Sequence, residues 1–261
     1  MDNLSTLSVT TFDDISKYHD YLISNDTHKQ NYDGEDYECG PFANSDEWHF
    51  SLGEDWKYHI NKYCFRDTFI PTNNIWAFGD SCTFGVGVDV PWPKMLGANN
   101  MGMIGTSVDT IARMFSSIQH LQTMNNKTFI FFLPDHSRFC WPDKDRQPTM
   151  ILNDTKDPRL PMYVNNYHSD LEDLRTINYL NWIYDNSKNN NLKVCSWSET
   201  TQNLCRQTLP KECIIDVDFK SLELDYGRDK RHPGIQTHKK LYETFKAVSY
   251  THLTLPTILL V

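Results

Sequence analysis

Thr128–Leu133 (TFIFFL) is apolar from its second residue to its last, and no other segment constrains the fold as strongly. A strand that alternates polar and apolar residues can leave one face in water. One that is apolar throughout must be covered on both faces, the condition of a strand inside a parallel sheet. Ile75–Phe78 (IWAF) is a shorter run of the same kind. Asn100–Ile104, Lys193–Trp197 and Cys213–Val217 read as further short strands. Helical repeats lie between them. Residues 106–121 place Val108, Ile111, Met114, Phe115 and Ile118 at helical spacing, with Thr106 or Ser107 available as a cap. Leu171–Tyr184 sets Leu171, Leu174, Ile177, Leu180 and Ile183 along one expected face, and a last helix is predicted from about Gln236 through Phe245. Residues 134–168, rich in Pro, Asp and Asn, read as a loop over one end of the sheet. This alternation predicts an α/β fold, a three-layer α/β/α sandwich with a mostly parallel sheet and helices on both faces.

A chain of 261 residues, 39% hydrophobic, can bury one sizeable core with an appendage. Residues 1–60 carry 13 acidic and 3 basic residues, so they account for the whole net charge of −9 and the rest is close to neutral. We therefore divide the chain into an acidic N-terminal extension (1–60), a main domain (61–247) and a short tail (248–261). An acidic leading segment on a neutral body repels phosphates and argues against nucleic acid as a partner. No run is apolar and long enough to span a bilayer, and no basic, apolar leader opens the chain, so a cytoplasmic or virion-associated protein is expected. Seven cysteines without a C-x-x-C pair point to reduced, buried thiols. In the tail, Val248–Thr257 (VSYTHLTLPT) resembles the translation of a transposon-end adapter used to prepare DNA sequencing libraries, so the natural frame is expected to break near Ala247.

Neither a metal nor a cofactor is expected. His49, His59, His120, His136 and His168 lack ligand spacing, and the acidic cluster around Asp33–Glu38 lacks the calcium-loop spacing. Gly79–Gly87 lacks the Lys-Ser/Thr of a phosphate loop. Trp76, Trp92 and Trp141 read as core or as pocket walls. No feature of the sequence sets the oligomeric state.

Two short motifs carry chemistry. Gly79-Asp80-Ser81 follows the first buried strand, and Asp229-Lys230-Arg231-His232-Pro233 precedes the last helix. A serine hydroxyl is a poor nucleophile until a neighbouring base takes its proton. At a strand-to-helix junction it stands at the carboxyl edge of the sheet, where open α/β sheets bind ligands. The start of the helix also presents backbone N–H groups without intrahelical acceptors, which can receive an oxyanion. Pro233 disfavours helical geometry at His232 and keeps that residue in the loop. Asp229, three residues earlier, can accept a hydrogen bond from the imidazole Nδ1 and fix its tautomer. Taken alone, each motif reads as a common tripeptide or a solvated turn; order and placement give them meaning.

Serine first and Asp-x-x-His last is the order of the SGNH, or GDSL-like, hydrolases, and the chain resembles that superfamily from about Asn61 to Phe245. Asn61–Asp67 (NKYCFRD) looks like the family's N-x-x-G-[FY]-R lead-in, with Cys64 in place of glycine. Gly79–Val88 (GDSCTFGVGV) matches the extended nucleophile block, and Asn100–Ser107 (NMGMIGTS) is similar to the second block. The resemblance implies a flavodoxin-like SGNH fold and a serine esterase. Its nucleophile would be Ser81, its base Asp229-oriented His232, and its oxyanion donors the N–H groups of Ser81 and Gly105. The third block departs from the pattern. The family's G-x-N-D is replaced by Pro134-Asp135-His136-Ser137-Arg138, without the donor asparagine, and Asp135, His136, Ser137 and Arg138 are the candidates for that role. An ionised Asp135 donates nothing. The expected substrate is a small-molecule or carbohydrate acyl ester, O-acetyl sugars included. The alternatives are a catalytically impaired module that binds glycan or a protein partner, and an accessory protein that assembles through its acidic segment.

Overall fold

Four parallel strands form the main sheet: β3 (Ile75–Gly79), β4 (Asn99–Gly102), β5 (Thr128–Leu133) and β8 (Asn191–Ser196), in the order β4-β3-β5-β8. In this computed structural model residues 65–67, 70, 73–116, 124–138, 168–228 and 230–249 are described in full. Only the backbone is described for the last two residues of one helix and for four short strands, β1 (Asp36–Glu38), β2 (Lys57–His59), β6 (Phe139–Pro142) and β7 (Pro148–Ile151). β1 and β2 pair antiparallel, Tyr37 opposite Tyr58. Asp229, Asn61–Cys64, His49, His120, the side chain of Trp141 and residues 250–261 lie outside the described residues, as does most of the acidic extension.

Side chains alternate across a strand, so each strand feeds two cores. Phe78, Phe129, Phe131, Leu133 and Val194 face one of them. There they meet α3 (Val108–Ile118), α4 (Ser169–Asn186) and α5 (Glu199–Thr208) through Ile111, Phe115, Leu180, Ile183 and Leu204. Phe78 stacks on Phe131 at 4.7 Å between centroids, and Phe115 meets Phe131 edge-on at 5.0 Å. Ala77, Ile130, Phe132 and Cys195 face the other way. They pack on α2 (Trp92–Leu96), α6 (Phe219–Leu222) and α7 (Ile235–Ser249) through Trp92, Leu96, Leu222, Leu241 and Phe245. This is the three-layer α/β/α arrangement expected, with the three apolar runs as parallel neighbours.

Several expectations are corrected. The stretch read as loop holds the antiparallel pair β6–β7, with Phe139 opposite Ile151. Its prolines, Pro142 and Pro148, lie opposite each other at the last position of the ladder, next to the connection between the strands, where strands tolerate them. Helix α4 forms, but Leu171 and Leu174 are 60% and 53% exposed, while Thr176, Leu180 and Ile183 are buried. A stripe spaced every three residues drifts by about 60° per step around a helix, so its five members cannot share one face. Cys213–Val217 is not a strand. A 3₁₀ turn at Lys211–Cys213 leads into one parallel bridge, Ile214 to Val194, along the free edge of β8. The last helix runs two residues past Ala247, and the Ser249 hydroxyl donates to Phe245 O. Among the described residues no helix is long and apolar enough to cross a membrane.

Candidate active site

The nucleophile motif folds as a single turn, α1 (Ser81–Phe84), directly off the end of β3. Asp80 caps it: Oδ1 accepts from Cys82 N at 2.9 Å, and the Asp80 carbonyl accepts from Thr83 N and Phe84 N. The turn closes at Gly85, whose φ of 85° is left-handed and whose N–H donates to Ser81 O. The cap serves the three N–H groups after Ser81. The Ser81 N–H itself has no acceptor among the described residues, and the Ser81 hydroxyl is bonded to none of them, His232 included. Ser81 is 3% exposed. The second block approaches from β4, where a Cβ on Gly102 would lie 2.2 Å from Phe84 N. Only glycine lets that strand end press against the nucleophile turn. Gly105 follows with φ 68°, and its N–H also lacks an acceptor among the described residues.

Arg66 of the lead-in motif is buried beneath this turn. Nη1 donates to the carbonyls of Phe84 and Gly85, and Nη2 to those of Val88 and Asp89. One guanidinium thus organises a loop that has no ladder of its own, which is a use of the planar five-donor fork that lysine cannot copy.

The third block builds a wall against Asp80. Asp135 Oδ1 accepts from Ser137 N at 2.9 Å and from the Ser137 hydroxyl, and its Oδ2 accepts from the Ser198 hydroxyl. Burial opposes ionisation, but these bonds and neighbouring His136 hold the Asp135 carboxyl well below the usual carboxylate range. It is an acceptor, occupied by its own loop and by Ser198. His136 lies with Nδ1 3.5 Å from Asp135 and Nε2 3.5 Å from Asp173 on α4, and the contact with Asp135 raises its pKa. Arg138 turns inward. Its Nη1 donates to Asp80 Oδ2 at 2.8 Å, and its guanidinium carbon lies 5.1 Å from the Trp197 ring centroid. Trp197 Nε1 donates to the same Asp80 oxygen at 3.1 Å. Fully buried Asp80 is therefore satisfied by a cap, a cation and an indole.

His232 stands in a loop whose base is tied tightly. Asp225 accepts from Gln236 N, Thr237 N and the Thr237 hydroxyl, so it caps α7 from ten residues upstream. Burial works against that carboxylate, yet these bonds lower its pKa. Tyr226 bridges to Pro233, and Gly227 N donates to His232 O at 2.7 Å. The loop then docks on the segment that follows Ser81: Arg228 N donates to Gly87 O, and the Arg228 guanidinium pairs with Asp89. His232 is half-buried.

His238, one turn into α7, is fully buried, and its Nδ1 accepts from Trp92 N at 3.2 Å. Burial first, and the nearby Arg66 cation second, push its pKa down to about 3. It is a neutral structural histidine. Trp76 and Trp92 are likewise core residues. Trp197, with Phe219, Ser196, Gln202, Glu199 and Lys220, lines a space of ≈ 340 Å³ past the carboxyl end of β8. Among the described residues no group of three or more His, Cys, Asp or Glu could hold a metal.

Sequence reasoning placed its candidates at the serine, the histidine loop and Gly105. It missed the roles of Arg66, Asp80, Asp225, Arg138 and Trp197, whose partners lie roughly ten to a hundred residues away and leave no local spacing to read. No protein-family model and no curated protein matches the sequence. Two solved structures are similar. A member of the lipolytic G-D-S-L family from Veillonella parvula DSM 2008 shares 12% identity over 67% of this chain and 96% of its own, with a TM-score of 0.39. LAE5, an α/β hydrolase from the metagenome of Lake Arreo, Spain, shares 13% over 67% and 94%, with a TM-score of 0.42.

Proposed function

We propose that this protein is a serine hydrolase that cleaves an acyl ester with Ser81 as nucleophile, His232 as base and Asp229 as the carboxylate that orients it. Ser81 Oγ attacks the ester carbonyl carbon while its proton passes to the His232 ring. The oxyanion is received by the N–H groups of Ser81 and Gly105. The ester C–O bond then breaks, the leaving alcohol takes the proton from His232, and water hydrolyses the acyl-serine by the reverse sequence to release the acid.

One observation carries the reading. The loop that bears His232 is docked on Gly87, six residues after Ser81, by the Arg228 N to Gly87 O bond. Chain segments 140 residues apart thus meet at the carboxyl end of β3, while the N–H groups of Ser81 and Gly105 stay without acceptors among the described residues. The missing asparagine is the counterweight, since loss of one oxyanion donor typically lowers the rate by about 10²–10³.

A fluorophosphonate probe is expected to label the protein on Ser81, and Ser81→Ala to abolish labelling. Short-chain aryl esters should be hydrolysed, with Asp229→Asn slowing the reaction by about 10⁴. A wild-type protein that neither labels nor hydrolyses any such ester would favour the module that binds glycan or a partner.

A further inference from the structure

Arg138 occupies the block where the superfamily carries its asparagine donor, and its guanidinium is only half used. Nη1 is bonded to Asp80 Oδ2, and the guanidinium carbon lies over the Trp197 ring, 5.1 Å from its centroid. The opposite edge, Nε–H with Nη2–H, has no acceptor among the described residues. That edge is the fork which matches a carboxylate side-on with two parallel hydrogen bonds.

The group is also held in place before any ligand arrives. Arg138 N donates to Asp135 O, closing the turn, and Arg175 Nη2 donates to both His136 O and Arg138 O. The buried Asp80 carboxylate fixes the guanidinium from one side and the indole from another, yet 21% of the side chain stays accessible. An arginine pinned through one edge loses little rotamer freedom when the other edge binds. Its partner Asp80 directly precedes Ser81 in the chain. The histidine loop adds exposed Lys230, a non-glycine residue at φ 56°. Arg138 and Lys230 are both cations in a chain whose net charge is −9.

We propose that Arg138 sets the specificity of this site, its free Nε–Nη2 edge taking a carboxylate on the substrate, so that the preferred esters are anionic. The inference rests on Ser81 being the reacting group; the carboxylate would anchor the substrate while the ester carbonyl meets the serine. Lys230 contributes a longer-range, salt-sensitive attraction.

The test compares mono-4-nitrophenyl adipate with neutral 4-nitrophenyl hexanoate, two esters of equal acyl length, in wild type and Arg138→Lys. Charge-assisted bidentate binding predicts a kcat/KM ratio favouring the adipate ester by about tenfold or more. Arg138→Lys keeps a cation for Asp80 but loses the fork, so the ratio should fall towards one. A purely structural Arg138 would lower both rates together and leave the ratio unchanged, which overturns the proposal, as does a wild-type ratio of one. If Arg138→Lys fails to fold, the double variant Asp80→Asn/Arg138→Gln removes both charges of the pair and must show the same loss of preference. If the wild type hydrolyses neither ester, the catalytic reading fails on its own. Calorimetric titration with monomethyl adipate then decides: saturable binding lost on Arg138→Lys upholds the carboxylate site, and no binding to the wild type rejects it.

Discussion

The Arg228 N–H donates to Gly87 O across 3.1 Å, and Gly227 lies so close to Gly87 that an added Cβ would be 3.0 Å from the Gly87 Cα. The histidine loop and the loop after Ser81 share a backbone-to-backbone seam. A Gly227→Val side chain has no room in it and should lift the loop away from Ser81. We expect hydrolysis of a short aryl ester to drop by about 10²-fold, the effect of misplacing a catalytic group by an ångström. Fluorophosphonate labelling should slow in parallel. Unchanged activity would mean that this seam does not set the distance between base and nucleophile.

Gly102→Ala should act on the fold itself. Its Cβ would lie 2.2 Å from Phe84 N and 2.7 Å from Thr83 C, both backbone atoms that no rotamer change can move. Overpacking of this kind typically costs about 1–3 kcal/mol. Urea denaturation of the variant should show that loss, with the midpoint moving and the slope kept.

His238 predicts an acid-side loss of stability. Its pKa falls from an ordinary 6.5 to about 3 on folding, so between those values the unfolded chain binds a proton that the folded one refuses. Stability should therefore decline as pH drops through this window, by up to about 1.4 kcal/mol per pH unit from this residue. His238→Gln retains an acceptor for Trp92 N and removes the titration. The difference in stability between wild type and variant, followed against pH, isolates the histidine from the carboxylates.

His136 predicts the opposite sign. Its folded pKa is raised by Asp135 on its own loop and by Asp173 and Glu172 on α4. The stabilisation it brings is complete below the ordinary 6.5 and fades as pH rises through the raised value. His136→Gln should destabilise the protein by about 0.5–1 kcal/mol near pH 5 and by much less near pH 9, as measured by thermal unfolding at the two values.

Local sequence carried the sheet because hydrophobic runs such as Ile75–Phe78 and Thr128–Leu133 state their burial residue by residue. It singled out Ser81 and His232 because each sits in a short motif. It failed on the face of α4, where Leu171 and Leu174 fit a three-residue spacing that a helix cannot keep on one side. It failed also on Cys213–Val217, whose apolar composition suits a strand but whose segment makes a single bridge. The wall beside the site was hidden for a different reason. Asp80, Arg138 and Trp197 come from three strand ends, and their bonds span 58 and 117 residues.

Arg66 gathers the carbonyls of Phe84, Gly85, Val88 and Asp89 around one guanidinium, and this has a mechanical consequence. Each of those oxygens would have to leave the same cation for the segment to swing, so the segment behaves as a stator. Parts clipped to it from outside are thereby held against a fixed frame. These are the histidine loop, held at Gly87 and Asp89, and the Arg138–Trp197 wall, held through Asp80.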